Sequence, residues 1–134
     1  MEGVIGLITI LTDDLKPMRA FYSDLLGFEV IEDLENYVEY RNPGVRFAIC
    51  TREVMYETTG HESYREERES HAFELAFPVG EPDDVYRVYG EVLAGGATPI
   101  KGPEIMTWGR KTAFIGDPDG NIHEIYSYKP EDFE

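Results

Sequence analysis

Phe114-Ile115-Gly116-Asp117-Pro118-Asp119-Gly120-Asn121-Ile122-His123-Glu124-Ile125-Tyr126 sets a strand, a tight reversal and a second strand around one carboxylate, that of Glu124. Phe114, Ile115, Ile122, Ile125 and Tyr126 suit strands. Asp117-Pro118-Asp119-Gly120 supplies the preset proline φ and the permissive glycine that a reversal needs. A carboxylate flanked by apolar strand residues requires compensation by a cation or hydrogen-bond donors if it is buried. Glu124 therefore reads in two ways: as a glutamate facing a ligand or metal, or as one at a wet strand edge.

The 134 residues bound the answer to one well-packed domain. With 42% hydrophobic, 13% aromatic and 29% charged residues the chain has the composition of a globular protein, and no run has the length and apolarity of a signal peptide or membrane span. A cytoplasmic location is expected. A lone cysteine, Cys50, excludes an internal disulfide and reads as a small buried strand residue without a role. The formal net charge of -15 repels phosphate backbones and anionic bilayers, which argues against nucleic acid and membrane partners. The same field attracts cations, though acidic surplus also serves solubility alone.

Outward from the hairpin, the chain repeats itself. Val4 to Leu11 reads as a strand, Asp13-Asp14 as a helix start, and Leu15, Met18, Phe21, Tyr22, Leu25 and Leu26 recur at helical spacing up to Gly27, with Pro17 in the first turn. Half a chain later, Phe73 to Val79 reads as a strand and Pro82-Asp83 as a helix start. Val85, Val88, Tyr89, Val92 and Leu93 then form a stripe that stops at Gly95-Gly96. Tyr22 and Tyr89 occupy like places. Three strand candidates follow each helix: Phe28 to Ile31, Tyr37 to Tyr40 and Phe47 to Thr51 in the first half, with Thr98 to Lys101, Thr112 to Ile115 and Ile122 to Tyr126 in the second. One helix covers one face of a four-stranded sheet, so two such units are expected to curve around a shared cleft. The expected organisation is a single domain over 1–134, with module 1 at about 1–54, a charged linker at 55–70 with room for one helical turn, module 2 at about 71–128 and a fraying tail at 129–134.

Asp14-Leu15 followed by Phe21-Tyr22-Ser23-Asp24-Leu25-Leu26-Gly27-Phe28, then Glu74-Leu75-Ala76-Phe77, Trp108-Gly109-Arg110 and Asp117-Pro118-Asp119-Gly120-Asn121-Ile122-His123-Glu124, together resemble the vicinal oxygen chelate superfamily. That superfamily includes glyoxalase I, bleomycin-resistance proteins, extradiol dioxygenases and fosfomycin-resistance enzymes. The resemblance covers nearly the whole chain and is specific for the fold, not for an activity. It implies an α+β architecture of two tandem βαβββ modules forming a half-open eight-stranded barrel around a cleft, frequently as a homodimer.

In metal-using members, four cleft positions hold the ion, on the first and last strand of each module. Carried over, the resemblance places them at Leu7, at Ala48 (or Cys50 if the strand register is two residues off), at Glu74 and at Glu124. Leucine and alanine carry no donor, so two candidate metal ligands of four remain, and two carboxylates alone hold a divalent ion weakly. His123 and His71 stand at odd steps from the glutamates, which sends them to the opposite strand face, and His61 lies in the linker; all three read as surface histidines.

Alternation puts Phe73, Leu75 and Phe77 against the helix and turns Glu74 and Ala76, with Ile122, Glu124 and Tyr126, to the cleft. Close carboxylates share a proton or recruit a cation, which makes Glu74 and Glu124 the candidate catalytic residues, as a general base or as the anchor of an amine or guanidinium. Separated and solvated, they do neither. Trp108 lies in a breaker-rich stretch, Gly102 to Gly109, that reads as a loop over the cleft where it either stacks on a ligand or simply packs. Arg110 and Lys111 beside it either bind an anionic group, neutralise Glu74 or Glu124, or stand as exposed strand-edge charges.

Three functions follow. The first is metal-independent binding of a small molecule, cationic by the charge argument, in a groove lined by Leu7, Thr9, Ala48, Glu74, Trp108, Arg110, Glu124 and Tyr126, with no cofactor. The second is a glyoxalase-like lyase or a dioxygenase, with Glu74 and Glu124 holding Mn, Ni, Zn, Fe or Mg. The third is a dimeric interaction module without catalysis.

Overall fold

The computed structural model describes residues 1–128, so the tail expected to fray lies outside the described residues. Two compact units divide the chain, Met1–Glu69 and the described part of Ser70–Glu134. The first runs β1 (Leu7–Thr12), α1 (Leu15–Ala20), β2 (Val30–Leu34), β3 (Tyr37–Tyr40), β4 (Arg46–Thr51) and α2 (Arg52–Thr59). The second runs β5 (Ala76–Gly80), α3 (Pro82–Ala94), β6 (Thr98–Ile105), β7 (Lys111–Gly116) and β8 (Ile122–Ser127). Each unit is a four-stranded mixed sheet, ordered β1-β4-β3-β2 and β5-β8-β7-β6, with its first and last strands parallel and the other pairs antiparallel. This is the expected pair of βαβββ modules.

In the first unit, one face of the sheet receives the helix. Phe47 and Ile49 of β4, Val38 and Tyr40 of β3 and Ile10 of β1 are buried, as are Met18, Phe21 and Tyr22. The Tyr22 ring lies 5.5 Å from Phe47 and 6.2 Å from Tyr40, and the Tyr40 hydroxyl donates to the Arg19 carbonyl. Such aromatic contacts add to plain area burial. After Ala20 the helix widens into a π turn over Phe21–Leu25, in which Leu26 N–H donates to Phe21 O. The continuous helix expected to Leu26 is thus split in character, and consecutive Phe21 and Tyr22 are both buried.

Several edges differ from the sequence reading. Phe28 is not the start of a strand; it closes the aromatic cluster, 5.3 Å from Phe47, and β2 begins at Val30. A helix of two turns, α2, starts at Arg52 and runs into the stretch expected to be a charged linker, followed by a 3-10 turn over Glu62–Arg65. Arg52 ties these together by donating to the carbonyls of Ser63, Tyr64 and Glu66. No helix among the described residues is long and apolar enough to cross a membrane.

In the second unit, α3 begins with Pro82 in its first turn, and the Asp84 carboxylate accepts from Glu81 N–H at 2.9 Å. Val85 and Val92 of the helix are buried, with Ala113, Ile115, His123 and Ile125 of the sheet. The strand expected from Phe73 begins only at Ala76. β6 is longer than expected, running to Ile105, so the presumed loop shrinks to a tight turn in which Gly109 N–H donates to Met106 O.

Candidate functional site

β8 alternates as its sequence requires. His123, Ile125 and Ser127 are buried, while Ile122, Glu124 and Tyr126 are half-buried on the face away from α3. Glu124 pairs with Ala76 on one side and Phe114 on the other, and Tyr126 pairs with Pro78 and Thr112. Glu74 lies two residues before Ala76, outside the regular ladder and exposed. The Glu124 carboxyl is raised above the ordinary carboxylate range, first by burial and second by the negative charge of Glu74. The Glu74 charge thus acts on the Glu124 carboxyl, as the lesser of the two causes. Among the described residues neither carboxylate makes a side-chain hydrogen bond or ion pair.

The residues that sequence placed around this pair have their own engagements. Trp108 sits in the β6–β7 turn with 59% of its surface exposed. Arg110 donates to the Ser127 carbonyl at 3.4 Å. The Lys111 ammonium donates to the Tyr86 hydroxyl at 2.8 Å and stands over the Tyr86 ring, so it does not pair with Glu74 or Glu124.

In the first unit, Leu7 opens β1 and pairs with Arg46, and Thr9 pairs with Ala48. Ala48 and Cys50 share the face opposite Phe47 and Ile49, and both are buried. Burial pushes the Cys50 thiol up, against a reactive thiolate. Sequence reasoning missed what lies beside Ala48. Its partner on β3 is Glu39, 5% exposed, whose carboxylate accepts from Arg46 Nε at 2.9 Å, Arg46 Nη2 at 2.7 Å and the Tyr37 hydroxyl at 2.7 Å. Arg46 first and Tyr37 second hold Glu39 down at about 2. A glutamate at an inward strand parity, with an arginine at the start of the next strand, was the signal available.

His123 corrects the expectation of a surface imidazole: it is wholly buried. Its Nδ1 accepts from Leu75 N–H at 3.1 Å, so the hydrogen-bond pattern assigns the proton to Nε2, which donates to Asp117 Oδ2 at 3.2 Å. Asp117 also accepts from Asp119 N–H, Asn121 N–H and Asn121 Nδ2. The turn is thus built on a buried carboxylate hub. His61 and His71 are exposed, as expected.

Of the four positions carried over from the resemblance, only Glu74 and Glu124 carry a donor. Leu7 and Ala48 offer no donor atom, and the imidazole next to Glu124 has both ring nitrogens engaged on the other face of the strand. Among the described residues no three His, Cys, Asp or Glu side chains converge.

Comparison with known proteins agrees with this architecture. Over 124 residues, 89% of this chain and 94% of the other, the sequence is 34% identical to YraH of Bacillus subtilis (strain 168), described as an uncharacterized protein. A glyoxalase/bleomycin resistance protein/dioxygenase family enzyme from Burkholderia phytofirmans PsJN superposes with a TM-score of 0.83 at 25% identity, covering 93% of this chain and 98% of that one. A lactoylglutathione lyase from Agrobacterium tumefaciens gives 0.70 at 19% identity, covering 95% of each chain, which speaks to the fold alone. The sequence model of one family matches residues 4–125, and with the two βαβββ units it shows that the chain belongs to the Glyoxalase/Bleomycin resistance protein/Dioxygenase superfamily.

Proposed function

We propose that this protein binds a small cationic molecule without the help of a metal ion, using Glu74 and Glu124 as the anchor and Tyr126 as the neighbouring wall. One observation carries the reading: the half-buried Glu124 carboxylate on β8, with Glu74 two residues before its strand partner Ala76, has no cation provided by the described residues. Burying such a group is costly, and an amine or guanidinium brought by a ligand removes that cost while forming charge-assisted hydrogen bonds. The surplus of negative charge over the whole chain raises the local concentration of such a ligand. Absence of donors at Leu7 and Ala48 supports binding without a metal. Trp108 is exposed enough to supply a stacking face for the ligand.

The test has two arms. A thermal-shift titration with 1,4-diaminobutane at fixed ionic strength is expected to stabilise the protein, and Glu74→Gln or Glu124→Gln is expected to abolish most of that gain. Equal stabilisation of the wild type and both variants would reduce the effect to general charge screening and end the proposal. Metal analysis of protein purified without chelator is the second arm. Stoichiometric Mn, Ni, Zn, Fe or Mg that disappears in Glu124→Gln would replace this reading with a metal-dependent lyase or dioxygenase.

A further inference from the structure

We infer that His123 and Asp117 are positioning residues that hold Glu74 against Glu124; the functional consequence rests on the carboxylate pair being the ligand anchor. The regular β5–β8 ladder begins at the Ala76–Glu124 pair, so the backbone just before it needs partners of another kind. The Leu75 carbonyl accepts from Glu124 N–H at 2.9 Å. The Leu75 N–H has no strand partner and donates instead to His123 Nδ1 at 3.1 Å. Both sides of the Leu75 residue are thus fastened to two successive residues of β8. The imidazole also holds the chain on either side of Leu75, with Phe73 at 6.1 Å and Phe77 edge-on at 5.7 Å. Glu74 is the residue between Phe73 and Leu75.

An apolar side chain at 123 would pack equally well between the two phenylalanines, but it would leave the Leu75 N–H without an acceptor. What the imidazole adds is a directed acceptor, and Asp117 keeps that acceptor aimed. By holding Nε2–H, the carboxylate hub of the turn leaves Nδ1 bare toward Leu75. The consequence is a fixed backbone placement for Glu74, the residue before Leu75, in the segment beside Glu124. Without the imidazole, the segment preceding Ala76 loses one of its two ties to β8, and the exposed Glu74 is free to move away from Glu124.

A ligand-free measurement tests the positioning itself. Carboxyl-carbon NMR titration of Glu124 is compared with and without Glu74→Gln, in the wild-type, His123→Leu and His123→Asn backgrounds. Asparagine retains an acceptor close to the place of Nδ1, while leucine does not. Removing the Glu74 charge is expected to lower the Glu124 midpoint in the wild type and in His123→Asn, and to leave it unmoved in His123→Leu. The same response in all three backgrounds would overturn the inference. Should the leucine variant not fold, His123→Met fills the space with a poor acceptor and carries the same comparison. In parallel, affinity for 1,4-diaminobutane is expected to fall about tenfold in His123→Leu, the loss of one charge-assisted contact, and to recover in His123→Asn. Lost coupling without any diamine binding in the wild type would leave the positioning standing and remove the ligand reading, so the two fail separately.

Discussion

The Arg46 guanidinium grips both oxygens of the Glu39 carboxylate, through Nε at 2.9 Å and Nη2 at 2.7 Å, on a face of the first sheet where the flanking positions Leu7 and Ala48 carry no donor. The Glu39 side chain is nearly inaccessible, whereas the Arg46 side chain is 63% exposed. Held at about 2 against an ordinary 4.5, Glu39 contributes stability that is complete above the unfolded value and disappears as pH falls from about 4.5 through about 2. Arg46→Gln is expected to raise the Glu39 carboxyl and shift acid unfolding, followed by circular dichroism, to higher pH. An unchanged acid limb would show that the pair does not contribute to stability.

Glu124 predicts the opposite sign. Its carboxyl is raised in the folded protein, so the favourable contribution belongs to the protonated form, is complete below the unfolded value and is lost as pH rises through the folded one. Glu124→Gln, which keeps the shape and removes the charge, is expected to be more stable than the wild type at neutral pH, with the gain vanishing as pH falls below the ordinary carboxylate range. Glu74→Gln is expected to give a smaller gain, because the Glu74 charge is the lesser cause after burial. Urea unfolding at pH 4 and pH 7 reads both.

Asp117 is a stability prediction of a different kind. Its Oδ2 faces two donors, Asn121 Nδ2 at 2.8 Å and His123 Nε2, in a site that is 2% exposed. Asp117→Asn keeps the volume but turns an amide donor toward one set of donors whichever way it is flipped. Leaving buried donors unmatched costs about 1–3 kcal/mol each, so a loss of about 3 kcal/mol is expected in denaturant unfolding. A loss below about 1 kcal/mol would show that the turn holds without its hub.

The strands, helices and doubled module were legible because they are written in periodicity and in breakers: the stripe from Val85 to Leu93 ends at Gly95-Gly96, and α3 ends with it. The alternation of Glu124 and Tyr126 against Ile125 was legible for the same reason. His123 was not. Its parity gave the right face, but a surface histidine and a buried one have the same spacing, and the acceptor that Leu75 needs comes from 48 residues away. The Glu39–Arg46 pair was hidden likewise, since it depends on which strands lie side by side. The late start of β5 reflects the Leu75 N–H finding a side-chain acceptor instead of a backbone one, a choice that strand propensity does not encode.

Gly80 joins β5 to α3 with φ at 115°, a conformation that disfavours any side chain, and a Cβ added there would come within 2.6 Å of Asp84 Oδ2. That oxygen is the one that accepts from Glu81 N–H at the start of the helix. Gly80→Ala therefore carries two separable costs, backbone strain and displacement of the capping carboxylate, together about 1–3 kcal/mol. Asp84→Ala alone removes the cap at about 1 kcal/mol. If displacement of Asp84 is part of the Gly80→Ala cost, the double variant loses less than the sum of the two single ones, because the cap can be lost only once. If the loss is additive, the carboxylate moves aside without giving up Glu81 N–H, and the strain at φ 115° accounts for the Gly80→Ala effect by itself.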